Sequence, residues 1–566
     1  MIDNVVLIDA FMHKFAIEGH RYSAALFFDF IAAFPSVSHN YIWACLRSAG
    51  IPDKVIKAIW KLYQNNQHHI KIGNKMFLGP LIAIGVRQGC PLSMIIFAIC
   101  LEPFLKELHR IIGEDGKVGA YADDVAIVHS NISHILQPLC DLFRRFAAVS
   151  NLRLNHSKCN IVPLSATADY ARFGTLLKMF SPDWNDFKIS NCAEYLGFYL
   201  GPGSLSRQWD TPIKKAMDNC LKWRHVKAGF FFNILAVNIY IMSLFTFIGQ
   251  LAKPNRKIDE CFAHIRASLF SGPGNWVPQL FLEHLKELGF HTQVRDMKTA
   301  FFASRVRVAL CTTLPLNDLA VEIGNIINRF NTTHEQTPHP HTDWHFNTFL
   351  FNITLAQKKN YEDYDTTTVE KCLQMPKEKR KALQKTIQAA ILEKEEKDKL
   401  AIVIDKVRLR LDRWKLVDVL PGHRAQRVQR RLLHLKRHTK PAVVSAYFKT
   451  IFNGWPTQRR MRHLQGANTP TKCVFCNLKA DCIEHFPSCS TVKGLFSKHR
   501  IQCSTLSQFL GMDMRSYPTQ TVSIAKLHQI LFKARQQFVH ALQTSSSSPP
   551  PDILELIRTA ETHAFR

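Results

Sequence analysis

The sequence predicts an α+β fold followed by helical and metal-binding segments, and three observations predict it. Over residues 1 to about 200, short apolar runs alternate with helical periods; from about 205 to 330 the periodicity is helical; and four candidate metal ligands, cysteines and a histidine, crowd into one short window near residue 480. A chain of 566 residues exceeds one ordinary core, so several domains are expected. Its apolar content of 46% is enough for it to fold. A formal charge of +28 calls for a polyanionic partner, either nucleic acid or an anionic membrane surface, and composition alone does not choose between them.

The elements read in order as follows. The opening MIDNVVLIDAFMHKF carries Asp3 and Asp9 and lacks the pattern of a secretory signal, so an intracellular place, nuclear or cytoplasmic, is expected. The 15 cysteines then read as thiols or metal ligands rather than as a disulfide framework. Ala24 to Phe30 (AALFFDF) reads as a buried strand, and Ser38 with YIWACLRSAGIP as a helix that stops at Gly50 before Pro52. Residues 92 to 112 form an apolar helix after Pro91, and GAYADDVAIVHS is too short for a helix and reads as strand, tight turn, strand. Phe230 to Leu251 carries no charge and is long enough to span a bilayer, but it holds Asn233, Asn238 and Gln250 and has no second such segment beside it. A buried helix is the expectation there, with a membrane span as the alternative.

Further on, residues 331 to 345 read as a loop, and Lys377 to Leu416 as a solvated amphipathic helix. From Arg424 to Arg462 there are eleven Lys or Arg and no Asp or Glu, which marks a nucleic-acid contact candidate. Ser545 to Pro551 (SSSSPPP) reads as a flexible break before a last short helix.

The residues that carry chemistry are carboxylates at strand ends. Asp29 closes an apolar strand, and Asp123 with Asp124 occupies the turn of the hairpin. Like charges close in space resist joint ionisation, and a divalent cation removes that cost. Two-metal phosphoryl transfer uses such oxygen ligands to hold two magnesium ions, for which manganese can substitute. Each piece alone is also ordinary turn or cap chemistry.

Taken together and in order, the pieces resemble the reverse transcriptases. FFDFIAAF (Phe27 to Phe34) resembles the first palm motif of that family, which implies Asp29 as a metal ligand and Phe34 as the bulk that excludes a 2′-hydroxyl. GVRQGCPLS (Gly85 to Ser93) is similar to the second motif, implying template and nucleotide contacts from Arg87, Gln88 and Gly89. YADD (Tyr121 to Asp124) resembles the signature hairpin. NLRLNHSKC (Asn151 to Cys159) resembles the next motif, where Lys158 stands at the place proposed to protonate pyrophosphate, with a plain surface lysine as the other reading. YLGFYLG resembles the primer-grip segment, with Tyr195, Leu196 and Gly197 in it. Ala32 and Pro35 depart from the first motif, and the basic residues of an upstream fingers region have no counterpart in these residues, so an N-terminally truncated polymerase domain is expected.

CVFCNLKADCIEHFPSC spaces Cys473, Cys476, His485 and Cys489 as a closed set of soft ligands, suited to structural zinc, with Cys482 as a substitute and His499 outside the set. With NGWPTQRR upstream it resembles the C-terminal zinc segment of non-long-terminal-repeat (LINE-type) retrotransposons, which implies Arg459, Arg460 and Arg462 as phosphate contacts, with a solvated face as the other reading. The resemblance implies a right-hand polymerase palm with partial fingers at 1–204, a helical thumb at 205–330, a linker and charged connector at 331–420, a basic segment with the zinc module at 421–500 and a tail at 501–566. It also implies an RNA template, a DNA primer or target DNA and deoxynucleoside triphosphates as partners, and no membrane. A retroelement remnant that binds nucleic acid without catalysis is the alternative.

Overall fold

A computed structural model describes the chain except for residues 166–168, 275, 334–341, 346, 364–382, 417–423, 462–469, 514–517, 545–550 and 566. Most of the loop expected at 331–345, the start of the charged helix, Arg462 and the Ser545 to Pro551 break lie outside the described residues. The chain forms two compact units, one of Met1–Asp210, Ile248–Lys253 and Ser304–Thr366, the other of Thr211–Phe247, Pro254–Ala303 and Thr367–Arg566. The stretch expected as one thumb is therefore shared between them.

The strands of the first unit are β1 (Ala24–Phe28), β2 (Gln67–Ile72), β3 (Lys75–Leu81), β4 (Gly116–Tyr121), β5 (Asp124–His129), β6 (Asn160–Pro163), β7 (Lys188–Ile189), β8 (Ala193–Tyr195) and β9 (Phe198–Leu200). Five of them form one sheet in the order β4-β5-β1-β6-β7, with β1 antiparallel to both neighbours. Every residue of β1 is buried, because both faces of the sheet are covered. Leu26 and Phe28 join a core with Phe104 and Phe143, from the helices Pro91–Ile112 and Leu136–Ser150. Ala25 and Phe27 point to the other face, where Ile8 of the helix Ile2–Glu18 and Tyr195 close over Gly119. Two-sided burial is why β1 reads as a continuous apolar run.

The helix Ile2–Glu18 is in turn tied to residues far downstream. The buried Asp9 carboxylate accepts the Phe349 N–H at 2.9 Å and lies 3.5 Å from His13 Nε2, while His13 Nδ1 and His345 Nδ1 are 3.1 Å apart. No sequence pattern announces this pairing.

Gly85 fixes the loop before the helix Pro91–Ile112. Its N–H donates to Val37 O at 2.8 Å, the Val86 N–H donates to Phe34 O at 2.7 Å, and His39 Nε2 lies 2.9 Å from Gly85 O. With φ at +82°, a Cβ there would stand 2.3 Å from Pro35 O, so only glycine fits. The close approach that Gly85 permits is thus to Pro35.

In the second unit the segment after Phe230 is helical and largely buried, as expected, but irregular: an α-helix Phe230–Ala236 runs into a π-helix Val237–Met242 and an α-helix Ser243–Thr246. Asn233 donates to Leu269 O and Asn238 to Gln293 O, so both amides turn inward, while Phe232, Ile239 and Tyr240 are exposed. No described helix is long and apolar enough to cross a membrane.

The basic stretch from Arg424 is also less solvated than its composition implies. Arg424 and Arg431 are buried, Arg427 donates to Met512 O and Arg431 to Asp513 O. Lys449 lies over the Phe532 and Trp276 rings, and burial pushes its ammonium down to about 8. Rather than trailing as a tail, the helix Pro518–Thr544 buries Ile524, Leu527, Ile530 and Leu531.

Two glycine substitutions separate steric from conformational cost. At Gly89, where φ is +83° and a Cβ meets nothing within 4 Å, Gly89→Ala is expected to lower stability by about 1–2 kcal/mol. Gly85→Ala adds a backbone clash and is expected to cost at least about 3 kcal/mol, read as the larger fall in thermal midpoint by circular dichroism.

Candidate active site and cysteine–histidine cluster

Asp29 stands one residue past β1. Its carbonyl accepts the Asn155 N–H at 2.8 Å, and its own N–H points to Cys159 Sγ at 3.5 Å, so the turn Asn155 to Cys159 anchors its backbone. Across the sheet, β1 pairs with β5 in a register that ends at Phe28 opposite Val125. One step further along the same register, Asp29 stands opposite Asp124. Between β4 and β5, Tyr121 pairs with Asp124, which leaves Ala122 and Asp123 as a two-residue loop with Ala122 at φ 54°. A positive φ in a non-glycine residue is strained, and the tight hairpin holds it.

This arrangement gathers like charge. The Asp124 carboxyl is raised to about 6, first by partial withdrawal from water and then by the charges of Asp123, Asp29 and Glu194. The residue as a whole remains exposed, so the neighbouring carboxylates share the effect with desolvation. Lys158 brings a cation to the group, its Nζ 3.9 Å from Asp29 Oδ1 and well exposed. Glu194, beside the primer-grip motif, joins these carboxylates without any sequence signal of its own.

The other expected residues divide. Phe34 is half-buried and stacks on Phe97 with ring centroids 4.3 Å apart. Gln88, Gly89 and Tyr121 are exposed. The Arg87 guanidinium donates to Leu62 O and lies 5.5 Å from the Tyr63 ring centroid. Tyr195 is buried, 5.7 Å from Phe27 between ring centroids, and desolvation pushes its hydroxyl above the usual phenol range. Leu196 and Gly197 form the two-residue turn between β8 and β9, both at positive φ, as the tightest hairpins require.

In the second unit, the ligand atoms of Cys473, Cys476, His485 and Cys489 all lie within 4.8 Å of one another. Cys476 Sγ and His485 Nε2 are 3.1 Å apart, and Ser488 Oγ is 3.0 Å from His485 Nδ1, which orients the imidazole with Nε2 toward the sulfurs. The Cys489 thiol is held well below the usual thiol range by its hydrogen bond with Cys473. Four such atoms fit a tetrahedral zinc ion. Cys482 is buried but outside this set, and His499 pairs with Glu561 at 2.7 Å.

The cluster is anchored by charge. Asp481, within the same segment, is fully buried against Arg535 of the helix Pro518–Thr544, and it also accepts the Gln458 N–H at 3.0 Å. Breaking such a pair strands a buried charge, at a cost of about 3–5 kcal/mol. Arg459 pairs with Glu484 at 3.1 Å, and Arg460 donates to Pro273 O at 3.0 Å.

The raised Asp124 carboxyl has a definite consequence. Between its unfolded value of 3.8 and about 6 the folded chain binds a proton that the unfolded chain releases. Its contribution to stability therefore falls as pH rises through that window and is level above it. Asp123→Asn is expected to lower the Asp124 value toward 3.8, measured by carboxyl carbon NMR in metal-free buffer.

Comparison with known proteins agrees with this geometry. Residues 3–200 match the family described as reverse transcriptase (RNA-dependent DNA polymerase). The chain is 31% identical over 216 residues to the transposon TX1 uncharacterized 149 kDa protein of Xenopus laevis, covering 35% of this chain and 15% of that protein. It is 28% identical over 167 residues to the retrovirus-related Pol polyprotein from type-2 retrotransposable element R2DM of Drosophila melanogaster, covering 28% of this chain and 15% of that one. The chain thus spans less than a fifth of the length of either relative. Apo telomerase from Candida tropicalis is similar at 12% identity with a TM-score of 0.29, covering 61% of this chain and 56% of that one, a likeness that carries no argument. Residues 3–200 belong to the reverse transcriptase family.

Proposed function

We propose that this chain is an RNA-directed DNA polymerase of the non-long-terminal-repeat retrotransposon kind, adding deoxynucleotides to a primer 3′-hydroxyl on an RNA template. The observation that carries the reading is the register that sets Asp29 opposite Asp124, with Asp123 beside them in a strained two-residue turn. The charges of Asp123 and Asp29 add to the raised proton affinity of the Asp124 carboxyl, and a divalent cation at this place would offset that repulsion.

Asp29, Asp123 and Asp124 would hold two magnesium ions. When bound, magnesium activates the primer hydroxyl and offsets charge on the leaving pyrophosphate. Lys158, exposed and next to Asp29, can supply a proton to the departing phosphate oxygen. Phe34, stiffened by its stack on Phe97, is suited to exclude a 2′-hydroxyl. Gln88 and Gly89 remain open for template and nucleotide, while Arg87 steadies their loop through Leu62 and Tyr63. The turn Leu196–Gly197, seated by the buried Tyr195, is a rigid support for a primer end. Cys473, Cys476, His485 and Cys489 would hold structural zinc.

Primer extension on an RNA template with magnesium tests the polymerase reading. The chain is expected to extend the primer and Asp123→Ala to lose at least about 10²-fold in rate. A chain that binds template but never extends it would leave a nucleic-acid-binding remnant instead. Elemental analysis of the purified chain is expected to give about one zinc per chain, and Cys476→Ser to lower both the zinc content and the thermal midpoint.

A further inference from the structure

The uncharged segment after Phe230 has no part in the chemistry above, yet its surface is unusual. Tyr240 is 48% exposed, Phe232 58% and Ile239 57%, on a stretch that turns both of its asparagine side chains inward. The wide π-turn Val237–Met242 presents Ile239 and Tyr240 to solvent, while Asn238 holds the backbone through Gln293 O and the Arg295 N–H. Insertions of this kind recur at functional sites.

A second element completes the surface. In the helix Asp210–Val226, Asn219 donates to Tyr240 O at 2.8 Å, and one turn later Trp223 packs its ring 5.4 Å from that of Tyr240, tilted by 34°. Beyond Asp218 the sequence has no Asp or Glu as far as Ile258, and Lys222, Arg224 and Lys227, within four residues of Trp223, are exposed. Aromatic faces with exposed cations close by in the chain suit bases that stack and phosphates that pair.

We propose that Trp223 and Tyr240, with Lys222, Arg224 and Lys227 close by in the chain, form a stacking site for unpaired bases of a nucleic-acid strand. The inference deepens the polymerase reading and rests on it, since it names a surface of the second unit that would hold a strand. Charge complementarity selects this occupant. An anionic membrane surface would be met by a long amphipathic helix with a broad apolar face, whereas here the α-helix Phe230–Ala236 gives way at once to the π-turn.

Fluorescence anisotropy of a labelled single strand of about 16 nucleotides, titrated with the full chain in EDTA, tests the site without catalysis. Tyr240→Ala and Trp223→Ala are each expected to weaken binding by about 5- to 150-fold with the salt dependence unchanged, and Tyr240→Phe to stay within about 2-fold. Lys222→Glu with Lys227→Glu is expected to weaken binding and flatten the salt dependence. Binding in EDTA is read without turnover, so a failed polymerase reading would not hide a true stacking site. The proposal is overturned if Tyr240→Ala and Trp223→Ala, folded by circular dichroism, bind within about 2-fold of the parent. It is also overturned if Tyr240→Ala spares oligonucleotide binding and instead abolishes flotation with phosphatidylserine vesicles or self-association in sedimentation.

Discussion

The pairing of β1 with β5 is the constraint on which the candidate active site depends. A strand register is specified wherever both faces are buried, because a slip of one residue would turn Leu26 and Phe28 away from their core. The same register carries Asp29 to the level of Asp124, and the two-residue turn then adds Asp123. Apolar packing thus sets the position of the charges, and hydrophobic burial sustains their repulsion. The Asn155 to Cys159 turn acts in the same direction, since its hydrogen bonds to Asp29 fix the strand end and bring Lys158 alongside.

The elements near the site were legible because local chemistry determines them. A continuous apolar run marks β1, a tight turn between apolar strands marks the Asp123 hairpin, and Pro91 starts the helix that follows Gly89. What the sequence could not disclose is long-range. Nothing in the local pattern says that Asp9 and His13 meet His345 and Phe349, or that the Arg87 guanidinium is taken up by Leu62 and Tyr63. The segment after Phe230 shows a related limit: absence of charge agrees with its largely buried helical course, but not with the exposure of Phe232, Ile239 and Tyr240, while Asn233 and Asn238 bond to backbone carbonyls.

Positive charge in the second unit shows the same limit of composition. Arg424, Arg431 and Lys449 lie in a stretch rich in basic residues, yet they spend their charge on carbonyls and aromatic rings inside the protein. The four-ligand cluster, by contrast, was legible from spacing alone, because two knuckle cysteines and a nearby histidine and cysteine can converge without help from distant residues. Its attachment through Asp481 and Arg535 was not, since that pair joins residues far apart in sequence.

The central claim is that three carboxylates from two strands form one divalent-cation site. Electron paramagnetic resonance of manganese, titrated into the chain with a deoxynucleoside triphosphate present, counts bound ions without requiring turnover. The account predicts protein-bound manganese that is lost in Asp29→Asn and in Asp124→Asn alike, because either change removes one side of the same site. Undiminished binding in both variants would contradict it and would place the metal elsewhere.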